Sequence, residues 1–375
     1  MKKVDGGILA AKGFKAAAAA AGIKQAGGLD VGLVWSTTPA VTAAVFTQNS
    51  VLAAPVQLSK QHCQDHKVRA VVVNSGNANC MTGEEGKQHA EQMAEDTAQL
   101  LNIDKNEVLV ASTGIIGRSL PIDKVQNGIE AAFEAANDNF AEAIMTTDTY
   151  PKSIAYECEI AGKTIVIGGC AKGSGMMQPN MATMLGFLTS DVALTPELLD
   201  KALREASRTT FNSITVDGCT STNDTLAIMT NGQANNAVIT DENDDYKTFV
   251  ETLRQACLDL ALMIVRDGEG ATTLVTVNVN GAADYDQAKA IAYAVANSPL
   301  VKTATGGKTD NWGRIAQAAG TLGLPITEDT LAIKVDKPAD DALNITVAVQ
   351  LGDATATVYT CDLTKDYVGI NVAYN

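Results

Sequence analysis

Thr183 opens an apolar run, Met184–Leu188, at the end of a loop that contains Gly173, Gly175 and Pro179. A threonine hydroxyl is a weak nucleophile unless a base adjoins it. The chain has three histidines, His62, His66 and His89, and no Gly-x-Ser-x-Gly turn on which a histidine-based triad would be built. The base closest to hand is the threonine's own α-amine, which titrates at about 7.7–8.0 when free. That amine exists only once the Ala182–Thr183 peptide bond is broken. The same residues also fit a plainer part, a β-branched side chain opening a strand, and the residues alone leave both readings open.

Around this junction the chain is rich in short hydroxyl and amide segments: Asn74–Asn79, Ser112-Thr113-Gly114, Thr146-Thr147-Asp148-Thr149, Lys172–Gly175, Ser221–Thr225 and Asp267-Gly268-Glu269-Gly270. Each taken singly reads as a turn, because these residue types favour turns for conformational reasons. Several follow strand-like runs, and polar residues presented from strand ends are a common way to build a pocket. Other chemistries are poorly served. His62-Cys63-x-x-His66 lacks a third ligand and the glutamate of a zinc hydrolase, so a solvated helix surface is expected there. Gly162-Lys163-Thr164 and Gly307-Lys308-Thr309 lack the upstream glycine of a phosphate loop.

The elements that must carry these segments alternate between strand and helix patterns. Val68–Val73, Val108–Ala111, Ile154–Ile160, Lys163–Ile167 and Met184–Leu188 read as strands, with Lys87–Leu101 a helix and Val125, Ile129 and Phe133 marking another. Thr195-Pro196-Glu197 is a helix start with Thr195 as N-cap. Tyr246–Arg266 reads as a long helix with Cys257 on its core face. Leu274–Val279, Leu331–Val335, Ile345–Leu351 and Ala354–Tyr359 complete the strands. The fold class is therefore α/β, several sheets with covering helices. No repeat or linker marks a domain boundary. At 375 residues and 46% apolar composition the chain can bury a large core. Seven scattered cysteines give no disulfide framework. A net charge of −15 argues against nucleic acid as a partner. The apolar runs fall far short of the ~20 residues of a membrane span, and the N-terminal stretch lacks the features of a signal peptide, so a cytoplasmic protein is expected.

The segment Lys172-Gly-Ser-Gly-Met, continuing to Pro179-Asn-Met-Ala-Thr183-Met-Leu, resembles the self-cleavage segment of the glutamate N-acetyltransferase (ornithine acetyltransferase) family. The likeness extends through Lys12-Gly13-Phe14, Val45-Phe46-Thr47, Asn74–Asn79, Ser112–Gly117, Met145–Lys152, Ser221–Thr225, Asp267–Thr272, Ser298–Ala304, Asn311–Ile315 and Cys361–Thr364. The resemblance implies the family's self-cleaving fold, cut between Ala182 and Thr183 into an α chain (1–182) and a β chain (183–375) that stay intertwined, as a heterotetramer or higher oligomer. It implies Thr183 as nucleophile, Thr113 and Gly114 as the oxyanion hole, and Thr146 or Thr147, Lys172, Glu269 and Asn371 as substrate-site residues. The expected reaction moves an acetyl group from N2-acetylornithine to L-glutamate by ping-pong through acetyl-Thr183, with no metal or organic cofactor.

The likeness has gaps. Thr273 stands where the family pattern has a lysine, Cys219 where it has an aspartate, and Thr309-Asp310 where it has Asp-Pro; the chain ends at Tyr374-Asn375 where a further threonine is common. Three other activities stay open on the sequence: a bifunctional enzyme that also takes acetyl-CoA, a self-processing amidase or aminopeptidase that hands the acyl group to water, and an uncut amino-acid-binding protein.

Overall fold

The computed structural model describes residues 1–135, 137–178, 184–307 and 311–373. The predicted cleavage pair Ala182 and Thr183 lies outside the described residues, as do Thr309, Asp310, Tyr374 and Asn375. The chain groups into two compact units, the first made of Met1–Gly173, Asn180–Phe211 and Thr220–Leu260, the second of Ser174–Pro179, Asn212–Cys219 and Ala261–Asn375. Each unit is assembled from stretches far apart in sequence, so no linker composition marks the crossings. This is why the sequence reading found no boundary.

In chain order the first unit contains β1 (Lys2–Lys3), β2 (Phe14–Ala19), β3 (Val31–Ser36), β4 (Val41–Phe46), α1 (Ala54–His62), β5 (Ala70–Asn77), α2 (Gly83–Leu101), β6 (Val108–Ile115), α3 (Ile122–Ala135), α4 (Phe140–Ala143), β7 (Lys152–Ile160), β8 (Lys163–Lys172), β9 (Leu185–Ser190), α5 (Pro196–Arg208) and β10 (Thr225–Thr230), with most of α6 (Asp244–Arg266). Two sheets form, ordered β1-β7-β8-β9-β10-β4 and β2-β3-β5-β6. Side-chain alternation along the strands assigns their faces. Val71 and Val73 of β5 and Leu109 and Ala111 of β6 join Cys170, Leu185, Phe187, Ala227 and Met229 in the core between the sheets. The intervening Ala70, Val72, Val108 and Val110 face the other way, into a cluster with Met93, Ala98, Val125 and Ile129 of α2 and α3. The run Ala70–Val73 is apolar throughout because both of its faces are covered. α5 packs on β4, and the Tyr156 hydroxyl of β7 donates to Asp259 of α6 at 2.7 Å, so helices cover this sheet too.

The second unit adds β11 (Leu274–Ala282), α7 (Tyr285–Ala296), α8 (Pro299–Gly306), α9 (Trp312–Ala319), β12 (Ala332–Ala339), β13 (Ala342–Ala348), β14 (Ala354–Cys361) and α10 (Lys365–Ala373). Its sheet runs β12-β13-β11-β14. Val275, Val277 and Val279 of β11 pack with Ile291 and Val295 of α7 and Ile315 of α9. Asp284 caps α7 by accepting from the Gln287 N–H at 2.7 Å.

The α/β class and the sheet-with-helices architecture stand as expected. Several details differ. The helix expected from Lys87 starts at Gly83, with Glu84 and Glu85 in its first turn, where carboxylates favour the helix dipole. Thr195 occupies the N-cap of α5 but its side chain makes no capping hydrogen bond. His62 and His66 do not form a solvated helix face. His62 is buried, its Nδ1 2.8 Å from the Val108 carbonyl, and His66 lies beyond the helix in a left-handed turn with Nδ1 2.9 Å from the Thr42 carbonyl. Short α1 ends at His62, so His66 is not on its face, and a backbone carbonyl meets Nδ1 of each ring. Cys257 sits in the core beside Leu253, Leu260 and Ile264 as its spacing predicts. Among the described residues no helix is long and apolar enough to cross a membrane.

Candidate active site

The first unit brings three of the expected residues together because β6 and β8 belong to facing sheets. Thr113 shares the parity of Leu109 and Ala111, and Lys172 that of Cys170, so both side chains leave their strands toward the space between the sheets. There the Lys172 ammonium, 8% exposed, donates to the Thr113 hydroxyl oxygen at 3.2 Å and to the Thr146 hydroxyl oxygen at 2.8 Å. A hydroxyl that accepts from a cation keeps its own proton for donation elsewhere. Thr113 is thereby set up as a hydrogen-bond donor. Thr147 follows Thr146 in the chain and is half-buried.

Gly114 owes its conformation to an irregularity at the ends of β5 and β6. These strands pair in parallel up to Gly76 and Gly114, where the register shifts. Gly76 has φ +98° and Gly114 φ +135°, values open to glycine and strained for other residues. A Cβ on Gly114 would lie 2.3 Å from the Gly76 carbonyl carbon. The bulge thus frees the end of β6 from regular pairing and turns its backbone, a usual way of aiming groups at a site. Beneath it, Ser112 donates to Asn74 at 2.6 Å. Asn223 donates to the Ala78 and Ser112 carbonyls at 2.6 and 2.9 Å. Three polar segments that the sequence offered as separate turns are in fact one buried scaffold.

Asp148 anchors the segment that carries Thr146. It is buried, pairs with the fully buried Lys152 at 2.6 Å, and accepts from the Gly173 N–H at 2.7 Å and the Thr146 N–H at 3.0 Å. Burial pushes its pKa up, but the charges of Lys172 and Lys152, with the bonds from Lys152 and Thr146, outweigh it and hold the carboxyl down at about 2. The pKa of Lys24 is also lowered, but there burial prevails over the pull of Asp30 and Asp148. Sequence reading missed the Asp148–Lys152 pair as a unit. Its only trace is an acid and a lysine four apart, which usually means an exposed helix pair.

The remaining two expected residues belong to the second unit. Glu269 follows α6 in the Asp267–Gly270 loop and is 9% exposed. Its N–H donates to the Ser174 carbonyl at 3.0 Å, and its carboxylate accepts from the Asn371 side chain of α10 at 2.6 Å. Gly175 runs against that carboxylate, where an added Cβ would stand 2.4 Å from it. Thr273, at the position of the family's lysine, donates its N–H to Asp362 at 3.0 Å. Cys219 is exposed, and its thiol is raised by burial and by the neighbouring Asp217. Among the described residues, no cluster of three or more His, Cys, Asp or Glu is arranged to hold a metal ion.

Comparison with known proteins gives the chain a family. Residues 15–375 match the model of the ArgJ family. The arginine biosynthesis bifunctional protein ArgJ of Oceanobacillus iheyensis is 42% identical over 99% of this chain and 96% of its own. That of Geobacter sulfurreducens is 44% identical over 97% of this chain and 99% of its own. A crystal structure of the Bacillus halodurans protein of the same name is 42% identical over 48% of this chain and 97% of its own, with a TM-score of 0.45. With a family model spanning nearly its whole length and full-length relatives above 40% identity, the chain belongs to the ArgJ family.

Proposed function

We propose that this acetyltransferase of arginine biosynthesis transfers an acetyl group from N2-acetylornithine to L-glutamate, using Thr183 as the acyl carrier. The observation that carries the reading is the Lys172–Thr113–Thr146 arrangement beside the Gly76/Gly114 bulge. It is a set of oriented donors at the end of β8, where Lys172 pairs with Leu185, two residues after Thr183. Self-cleavage breaks the C–N bond between Ala182 and Thr183 and adds water, leaving a carboxylate on Ala182 and an amine on Thr183. The amine takes the proton of its own hydroxyl as the oxygen attacks the acetyl carbonyl. The Thr113 hydroxyl and the Gly114 N–H stabilise the oxyanion, one such donor being worth about 3–4 kcal/mol of barrier. Ornithine leaves with a proton returned by the amine. The glutamate amine then attacks the acetyl-threonine ester, giving N-acetylglutamate and free Thr183. No step calls for a metal or an organic cofactor. Lys172 is suited to the α-carboxylate that donor and acceptor share, and Glu269, with Asn371 bound to it, to the ornithine ammonium.

Cutting at this junction leaves the α chain (1–182) and β chain (183–375) interleaved. β9 pairs with β8 and β10 with β4 across the two chains, which supports their association, with assembly into a heterotetramer or higher oligomer as the further expectation. The word bifunctional in the relatives' names favours a second activity. We assign it to acetylation of glutamate from acetyl-CoA. Product analysis tests both readings. With N2-acetylornithine as donor, N-acetylglutamate should form only when glutamate is present, and acetate released equally with and without glutamate would instead make the protein a hydrolase. With acetyl-CoA and glutamate alone, N-acetylglutamate should again form. Its absence would limit the enzyme to the transfer from acetylornithine.

A further inference from the structure

Asp217 is given no role in the proposed acyl transfer, yet it grips the chain at Met176 and Met177, ahead of the proposed cleavage junction. Its two carboxylate oxygens accept from consecutive backbone amides, Met176 N–H at 2.7 Å and Met177 N–H at 2.8 Å. A left-handed residue turns consecutive amides toward one anion, and Met176 has φ +53°. A methionine has no intrinsic preference for that conformation, so the charge-assisted pair of bonds is what selects it. The loop that carries Asp217 then extends the grip. Val216 N–H donates to the Met177 carbonyl at 2.6 Å and Gln178 N–H to the Cys219 carbonyl at 2.8 Å. The Asn297 amide donates to the Gln178 side chain at 2.6 Å. Asp217 also accepts from the Cys219 N–H at 3.1 Å and the Tyr367 hydroxyl at 3.4 Å. The nearby buried cation Lys302 is attracted to it.

The geometry points to Asp217 as a positioning residue for self-cleavage: it holds Met176–Gln178 in one conformation, so that the junction four residues on starts from a fixed anchor. This rests on the self-cleavage reading above. Attack by a residue on its own preceding peptide bond needs a backbone conformation that a free segment visits rarely. Fixing one end of the segment raises the population that reacts. The carboxylate contributes two acceptors and a negative charge; an asparagine in its place offers one acceptor and turns an N–H₂ toward the other amide.

The test follows cutting of newly made full-length chain by intact mass, for wild type, Asp217→Ala and Asp217→Asn, with melting temperature measured on each. The expected result is cutting slowed by about tenfold or more in Asp217→Ala, with Asp217→Asn between it and wild type or equally slow, at a melting temperature close to wild type. A merely structural role would lower the melting temperature and leave the cutting rate of the folded fraction unchanged. Should Asp217→Ala fail to fold, Asp217→Asn alone decides, and wild-type cutting by the folded Asn variant overturns the proposal. If wild type itself stays whole, the self-cleavage reading has failed, and that arm reports it separately.

Discussion

Asp148 is a buried residue whose ionisation bears on the stability of the first unit. Its carboxyl sits at about 2 in the fold against about 3.9 in an unfolded chain. A group with a depressed folded pKa adds stability above its unfolded value and loses it as pH falls through the folded one. Here that is about 2.6 kcal/mol, lost progressively between about pH 5 and about pH 1. Melting temperature followed through that window should fall in the wild type and fall less steeply in Asp148→Asn; parallel curves would contradict the assignment. Removing the carboxylate also breaks the buried ion pair with Lys152, a change that costs about 3–5 kcal/mol at neutral pH. At this scale the sequence was legible where a motif was long. Thr113, Gly114, Lys172, Glu269 and Asn371 were all named from it, and the structure brings Lys172 to Thr113 and Thr146 and Asn371 to Glu269. It was silent where the partner is distant in the chain. Nothing in the spacing of Asp217 shows that its acceptors face Met176 and Met177, and the His62/His66 spacing misled because backbone carbonyls claim both rings.

The element that matters most is the bulge joining β5 and β6. Parallel pairing ends at Gly76 and Gly114, and each needs a backbone region that other residues reach only with strain. Gly114→Ala would drive a Cβ into the Gly76 carbonyl carbon, a rigid backbone neighbour. The alanine keeps its N–H but the displaced backbone no longer aims it, so the expected outcome is loss of transfer by about 10²–10³-fold, the usual effect of losing one oxyanion donor, with the protein still folded and still binding ornithine. Transfer within a few-fold of wild type would remove Gly114 from the site. Strand existence was readable from the apolar runs, since Ala70–Val73 and Val108–Ala111 are covered on both faces. The pairing of β6 with β5 follows from contacts between residues 38 positions apart, and the facing of β6 and β8 across a shared core from contacts 59 positions apart. A periodicity argument has no access to these.

For the whole molecule, the α/β class was readable from the sequence but the grouping into two units was not. Strand pairing across the junction, β8 with β9 and β4 with β10, means that cutting one peptide bond removes no sheet hydrogen bond among the described residues. The two chains should therefore copurify and separate only in denaturant. The central claim is that one threonine, freed by that cut, carries the acetyl group. It is tested by mass spectrometry of protein quenched during turnover on N2-acetylornithine without glutamate, then digested and sequenced. The expected result is two chains, the second beginning at Thr183 and bearing one acetyl group that glutamate removes. Turnover by a chain continuous through Ala182–Thr183, or an acetyl group on any other residue, would contradict it.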